Sequence, residues 1–426
     1  MIATIEPGNI SGSTIAPPSK SMTQRVFAGA LLNRGKTIIH GAGNSEDEQA
    51  ALNIIQQLGA KVIFNSGGTI EIESNGVEPI SDTINCGESG LAARLFIPIA
   101  ALCNKAITIT GQGSLLNRPM GLYTGILPEL NVAISNTHGH LPVHIKGPLT
   151  PVDIAIDGSD SSQFLSGILF AFCYAQAQPV ISITAHDLKS KPYIDMTLDV
   201  LKKFGHSVMH KDYKEFSLYR SNQSNENKIT EISVAGDWSS AAFFLVAAAI
   251  AGEVIVSGLV DNKLQADNAI LGVLHDVGAD VSVSDNKVNI RKHRLYAFEF
   301  DATDCPDLFP ILAILAACCK GESYIKGVHR LFNKESNRAE SISEMLENFG
   351  VPFSLEDDSF CITGGRQLQG TVIDSYHDHR IVMAAAIGAL KANGPVDILH
   401  AESVNKSYPE FFKTLISCGV TCTIPH

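Results

Sequence analysis

One structural unit is written six times along this chain. A β-branched segment, a loop, a helix of about four turns, an apolar residue followed by Gly or Asn, and a new β-branched segment recur from end to end. The helix-ending residue falls at Gly59, Asn131, Gly205, Gly278, Gly350 and Gly419, at separations of 72, 74, 73, 72 and 69; a sixth of the 426-residue chain is 71. Glycine suits this place because a chain leaving a helix often turns through a left-handed conformation, and Asn is the next best tolerated residue. One unit reads plainly as a strand over 254–258, a helix over 265–277 and a strand over 280–283. A second helix in each unit is expected to start near Ser21, Ser89, Ser162, Ser240, Asp307 and His379. Several of these helices are apolar nearly all round, as in 241–250, and such helices belong inside a core. The period is too long for a solenoid repeat. Each unit is therefore a small α/β subdomain, and three to a domain divide the chain near residue 235, just after the polar run Ser221–Lys228.

Composition narrows the function. There are 32 Lys+Arg against 44 Asp+Glu, a formal net charge of -12, which argues against nucleic acid and anionic membranes as partners. With 45% hydrophobic and 18% charged residues the chain is globular in composition. Its longest apolar stretch, 241–251, falls short of the roughly 20 residues of a membrane-spanning helix. The first residues lack a basic patch followed by an apolar run, so a cytoplasmic location is expected. Nine cysteines without a C-x-x-C spacing read as free thiols, not as a zinc site or a disulfide framework.

Counting back from each helix-ending residue places the reactive side chains. Arg118, Gln265 and Lys406 lie 13 residues before it, Arg338 and Tyr193 lie 12 before, and Ser190 lies 15 before, so they share one locus, the loop entering a helix. The starts of the second helices supply Lys20, Ser21, Arg25, Gly90, Arg94, Ser161, Ser162, Gln163, Asp307, Asp378, His379 and Arg380. Helix N-termini present free N–H groups and the positive end of the dipole, so cations added there oppose the local field. Bound phosphate or carboxylate is the economical compensation. The chain has no G-x-x-x-x-G-K-[ST], no G-x-G-x-x-G after a strand and no G-x-S-x-G, so a phosphate would be held without a P-loop and acyl chemistry has no support. The pairs His138/His140 and His377/His379 do not by themselves make a metal site, and no metal is expected.

Seven motifs spread over the chain carry a resemblance: Pro17-Pro-Ser-Lys-Ser-Met-Thr-Gln-Arg25, Leu115-Leu-Asn-Arg-Pro119, Asp160-Ser-Ser-Gln-Phe164, Ser190-Lys-Pro-Tyr193, Lys334-Glu-Ser-Asn-Arg338, Asp378-His-Arg380 and Asn405-Lys-Ser-Tyr-Pro409. In order and spacing they resemble the 5-enolpyruvylshikimate-3-phosphate (EPSP) synthase family. The resemblance implies the pseudo-sixfold enolpyruvyl transferase fold, an inside-out α/β barrel of two domains, each of three βαβαββ units. One domain would span 19–234 on the shikimate 3-phosphate side; the other, 1–18 with 235–426, would complete the phosphoenolpyruvate site in the cleft between them. It implies transfer of the enolpyruvyl group of phosphoenolpyruvate to the 5-hydroxyl of shikimate 3-phosphate, a step of the shikimate pathway to chorismate and the aromatic amino acids.

The same resemblance assigns residues. Lys20, Gly90, Arg118, Gln163, Arg338, Arg380 and Lys406 would surround phosphoenolpyruvate. Lys20, Ser21, Arg25, Ser161, Ser162, Gln163, Ser190, Tyr193, Asp307 and Lys334 would hold shikimate 3-phosphate. Asp307 is the expected base on the 5-hydroxyl, with Glu335 and Lys20 moving the proton to and from the methylene carbon. No cofactor is called for, and the expected partners are the two substrates alone, on a monomer. Taken singly, Asp307 reads as a helix cap and Glu335 as an exposed carboxylate; Asp378 is expected to cap its helix or orient His379.

Two departures stand out. Where the family usually reads Asn-Ala-Gly-Thr followed by Arg-Pro, this chain has Glu88-Ser-Gly-Leu91 and Arg94-Leu95, and Arg330 stands where Asn is frequent. The rival families are the related enolpyruvyl transferase of UDP-N-acetylglucosamine, whose reactive Cys is absent from 111–118, and a non-catalytic metabolite-binding relative, which would have no use for Asp307, Glu335 and Lys20 together.

Overall fold

The computed structural model describes residues 1–65, 67–175, 178–220, 228–260 and 264–424. Most of the polar run 221–228 thus lies outside the described residues. The chain forms two compact units, Pro18–Ala235 and Met1–Pro17 with Gly236–His426, each with its own hydrophobic core.

The described residues form twelve α-helices: α1 (Lys20–Leu32), α2 (Glu46–Gln57), α3 (Gly90–Ala100), α4 (Leu122–Glu129), α5 (Ser162–Ala175), α6 (Lys191–Lys203), α7 (Trp238–Ala251), α8 (Ile270–Asp276), α9 (Phe309–Cys318), α10 (Arg338–Asn348), α11 (His379–Ala389) and α12 (Phe411–Ser417). The odd-numbered helices form the centre of each unit. In one, α1, α3 and α5 pack on each other; in the other, α7, α9 and α11 do. Their sequences require it: every residue of α7 is buried, which matches a helix without a polar face.

Among the described residues there are six four-stranded sheets, three in each unit, and all share one plan. In the second repeat, Thr83–Asn85 runs parallel to Ala106–Thr110 across the α3 crossover; His140–Lys146 joins antiparallel, and Ala133–Thr137 pairs with its outer edge. Three sheets take a strand from a distant part of the chain. Lys228–Ser233 lies parallel to Gly35–His40, and Ile10–Ile15 lies parallel to Gly252–Ser257. Ile2–Ile5 inserts between Val396–Leu399 and Cys422–Thr423. Each unit of the fold is thus βαβαββ, but the strands closing a unit are not always neighbours in sequence.

All six helix-ending residues adopt the left-handed conformation, with φ of 107° at Gly59, 63° at Asn131, 87° at Gly205, 86° at Gly278, 72° at Gly350 and 85° at Gly419. The four-turn length expected for the helices before them is not general. They run 12, 8, 13, 7, 11 and 7 residues. The shortest are preceded by 3-10 turns at Gly113–Asn117, Ala266–Ala269 and Ala401–Lys406, so the helix expected over 265–277 is split. Proline explains part of this: Arg118 precedes Pro119 and is extended (φ -82°, ψ 138°), because the pyrrolidine ring disfavours a helical residue before it. The fourth inner helix starts at Trp238, earlier than Ser240, because the Asp237 side chain caps it by accepting from the Ser239 N–H at 3.1 Å. A 3-10 turn, Pro306–Leu308, carries Asp307 ahead of α9.

Candidate active site

In the unit that contains α7 to α12, one arginine organises the site. Arg338 opens α10 and is 1% exposed, so its charge must be met by protein groups. Its Nε donates to Asp378 Oδ2 at 2.7 Å, Nη1 to Asp307 Oδ1 at 2.6 Å and Nη2 to Glu335 Oε2 at 2.6 Å. Asp378 is itself fully buried at the start of α11. There it caps the helix by accepting from the Arg380 N–H at 2.9 Å, and it also takes the Ser336 hydroxyl at 3.2 Å. The expected cap is present, but Asp378 also anchors Arg338, which the sequence reading did not foresee.

Asp307 faces three cations, since Lys334 Nζ and Arg380 Nη2 lie 3.7 and 3.6 Å from its carboxylate in addition to Arg338. Burial alone would raise its pKa; the charges of Lys334, Arg338 and Arg380 outweigh it and hold the carboxyl well below the usual range. Lys334 moves the other way. Burial lowers it to about 8 against the pull of Asp307, with Arg338 and the nearby Arg330 adding cationic repulsion. On the buried Arg380, Nε and Nη1 have no hydrogen-bond partner among the described residues, and the guanidinium lies 5.9 Å from the Phe243 ring. Two unsatisfied donors on a buried cation are costly without an anion. Lys406 closes the Ala401–Lys406 turn and donates to the His377 carbonyl at 2.8 Å. Gln265, in the corresponding place two repeats earlier, is structural: it accepts from the Trp238 N–H and donates to the Gly236 carbonyl.

The unit built on α1 to α6 holds the remaining candidates. Lys20 is the first residue of α1 and pairs with Asp47 at 2.8 Å. Beside Asp47, Glu48 accepts from both the Ser45 N–H and hydroxyl; burial raises its pKa despite those bonds. Arg25 is buried, with Nε on Thr197 Oγ1 at 2.9 Å, Nη1 on the Ser21 carbonyl at 2.8 Å and the Tyr193 ring at 5.9 Å. Burial lowers its pKa to about 10. The structure thus brings Ser21, Arg25 and Tyr193 together. Ser190 immediately precedes α6 and holds a left-handed conformation (φ 53°). Gln163 accepts from Arg94 Nη1 at 2.9 Å, and its N–H donates to Ser161 Oγ at 3.3 Å; Ser162 is the first residue of α5. Gly90 starts α3 under Arg118 and Arg94: a Cβ there would overlap Arg118 Nη1 and come within 3.2 Å of its Cζ and 3.4 Å of Arg94 Nη1.

The EPSP synthase (3-phosphoshikimate 1-carboxyvinyltransferase) family model matches residues 5–415. The chain belongs to the EPSP synthase family. Among its relatives, the 3-phosphoshikimate 1-carboxyvinyltransferase of Methanocorpusculum labreanum is 37% identical, with 96% of each chain covered. That of Clostridium novyi is 34% identical, with 97% of each chain covered. An EPSP synthase structure from Acinetobacter baumannii superposes with a TM-score of 0.84 at 27% identity over the whole of both chains.

Against the EPSP synthase pattern, the departures at 88–95 have a local account. Ser89 caps α3, accepting from the Ala92 N–H and donating to Gln24 Oε1 at 3.0 Å. Glu88 accepts from the Ser114 N–H and hydroxyl, both at 3.2 Å, which ties down the turn that leads to Arg118. Asp47 and Thr197, which meet Lys20 and Arg25, are the polar neighbours that sequence reading missed. Only Asp47 had a signal, the S-x-x-E capping box Ser45–Glu48 that starts α2 around it.

Proposed function

We infer that this chain transfers the enolpyruvyl group of phosphoenolpyruvate to the 5-hydroxyl of shikimate 3-phosphate. The observation that carries the reading is the Asp307 carboxylate lying within 4 Å of Lys334, Arg338 and Arg380. A base and three anion-binding cations are thereby gathered at one point. In this proposal Arg338, Arg380 and Lys406 take phosphoenolpyruvate, as do Lys20, Gly90, Arg118 and Gln163. Shikimate 3-phosphate falls to Lys20, Ser21, Arg25, Ser161, Ser162, Gln163, Ser190, Tyr193, Asp307 and Lys334.

The reaction is an addition followed by an elimination. The 5-oxygen bonds to C2 of phosphoenolpyruvate while its proton goes to Asp307, and a proton supplied by Glu335 or Lys20 goes to the methylene carbon. A tetrahedral ketal phosphate with a methyl group results. The C2–O bond to phosphate then breaks, the methyl returns a proton to the Glu335 or Lys20 group that supplied it and the double bond re-forms, releasing orthophosphate. Asp307 is a weak base while three cations hold it ionised. A substrate carboxylate that bonds to Arg338 and a phosphate that bonds to Arg380 share those charges, which raises the pKa of Asp307 when a base is needed. Asp378 holds Arg338 through Nε at 2.7 Å and Nη2 at 3.3 Å, so the guanidinium stays anchored while its contacts to Asp307 and Glu335 give way to substrate. Cations that remain in place stabilise the charge that develops on the departing phosphate. Release of orthophosphate from the two substrates, without added metal, tests the reading.

Two expected results follow from particular contacts. Gly90→Ala places a methyl group where the end of the Arg118 side chain lies, so that guanidinium must shift; a hydrogen bond to a charged group lost in this way is worth about 1.5–3 kcal/mol, and the KM for phosphoenolpyruvate should rise about tenfold or more. Steady-state kinetics should show the KM for shikimate 3-phosphate nearly unchanged. Lys334 sets a pH limit. With its pKa lowered to about 8, its charge is lost as pH rises through 8, so kcat/KM for shikimate 3-phosphate should fall on the alkaline side with an apparent pKa near that value. Lys334→Arg stays charged throughout and should move this limb to higher pH. For folding the sign is opposite, since the unfolded chain binds more protons between pH 8 and the ordinary lysine value, and this group's contribution to stability rises with pH there.

A further inference from the structure

The turn that leads into α11 and the turn before the Ala401–Lys406 segment bring together donors that the reaction does not use. The sequence offers His377 with His379, but His379 is 2% exposed inside α11, and the partner of His377 is His400. The two rings stack with centroids 3.9 Å apart and planes tilted by 36°. Glu402 stands beside them, with Oε1 4.0 Å from His400 Nδ1, while its Oε2 accepts from the Met1 amino group at 2.7 Å. One donor atom from each of His377, His400 and Glu402 lies within 4.8 Å of the others. On the opposite edge of the His400 ring, Nε2 lies 3.9 Å from Asp374 Oδ1. His377 and His400 both hold left-handed backbone conformations, with φ of 57° and 55°.

We propose that His377, His400 and Glu402 form a binding site for a divalent transition-metal ion of the zinc class. Two imidazoles and a carboxylate are the donor set of three-ligand zinc sites that keep a fourth position open. Magnesium and calcium prefer six or more oxygen ligands and are poorly served here. Tetrahedral zinc with ligands at about 2.1 Å places its donors about 3.4 Å apart, so the three groups have to close by about 1.4 Å at most, within reach of side-chain rotation at a partly exposed site. Asp374 is placed to orient the second nitrogen of His400, the role that carboxylates commonly play behind a histidine ligand. The ion would tie the turn preceding Asp378 to the segment that ends in Lys406, whose ammonium already bonds the His377 carbonyl.

Titration of the intact protein with zinc chloride by calorimetry tests the site. The expected result is one zinc per chain, with affinity lowered at least tenfold in His377→Asn and in His400→Asn. Asn is chosen because it tolerates the left-handed conformation, and circular dichroism checks that both variants fold. Zinc should raise the melting temperature of the unchanged protein and not that of the double variant. The nine free cysteines are the competing ligands, so cobalt(II) is the second probe. A cobalt spectrum without thiolate charge-transfer absorption supports the site. A thiolate band, zinc affinity unchanged in the double variant, or no binding at zinc concentrations up to about 1 mM would overturn it.

Discussion

Asp307→Ala should lower turnover by about 100-fold or more, the usual cost of losing a general base, while shikimate 3-phosphate still binds with a dissociation constant within a few-fold of the original. The two readouts separate the base from its bland alternative. A residue that merely capped α9 would, when lost, lower stability by about 1 kcal/mol and leave the turnover of the folded enzyme intact. The structure already weakens that alternative, because the Asp307 carboxylate bonds Arg338 and faces Lys334 and Arg380. Its removal also leaves three cations closer to mutual repulsion. Binding of phosphoenolpyruvate to the variant should therefore be retained or strengthened, since an anion relieves that repulsion. Direct measurement of phosphoenolpyruvate affinity, independent of turnover, checks this; a large loss of affinity would mean that Asp307 chiefly holds the arginines in place.

Arg338→Met is expected to damage both folding and catalysis. Arg338 is 1% exposed and Asp378 fully buried, so removing the guanidinium strands a carboxylate in the interior. Breaking a buried ion pair from one side costs about 3–5 kcal/mol. The lower end is expected, because Asp378 keeps the Arg380 N–H and the Ser336 hydroxyl. The urea midpoint should fall accordingly, and more steeply than in Lys334→Met, whose side chain is 22% exposed. In the fraction that folds, kcat/KM for phosphoenolpyruvate should drop by about 100-fold or more, since truncating one partner of a buried charged contact costs about 2–5 kcal/mol of binding. A variant with unchanged midpoint would show that the Asp378–Arg338 pair contributes nothing to stability.

How much of this was legible in the sequence depends on the range of the interaction. Gly59, Gly205, Gly278, Gly350 and Gly419, with Asn131, announced themselves because a left-handed residue is a local demand, and the backbone meets it at all six places. The apolar run within α7 announced a central helix for an equally local reason. Helix lengths were less legible: the 3-10 turns before α4, α8 and α12 depend on how the entering loop packs and not on periodicity. Partner choice was not legible at all. Arg338 selects Asp307, Glu335 and Asp378, and two of these partners lie 31 and 40 residues away, on segments whose mutual direction no motif specifies. The strand insertions of Ile2–Ile5 and Lys228–Ser233 were hidden for the same reason. Net charge misled in a useful way. A total of -12 speaks of the whole surface and says nothing of Arg25, Arg118, Arg338, Arg380 and Lys406, all of them buried or nearly so.

The central claim is tested most directly by mixing the protein with phosphoenolpyruvate and shikimate 3-phosphate and measuring orthophosphate, with neither metal nor cofactor added. Stoichiometric appearance of orthophosphate and of the enolpyruvyl ether at the 5-position, requiring both substrates, is the predicted result. No release at saturating concentrations of both, from protein shown to be folded, would contradict it.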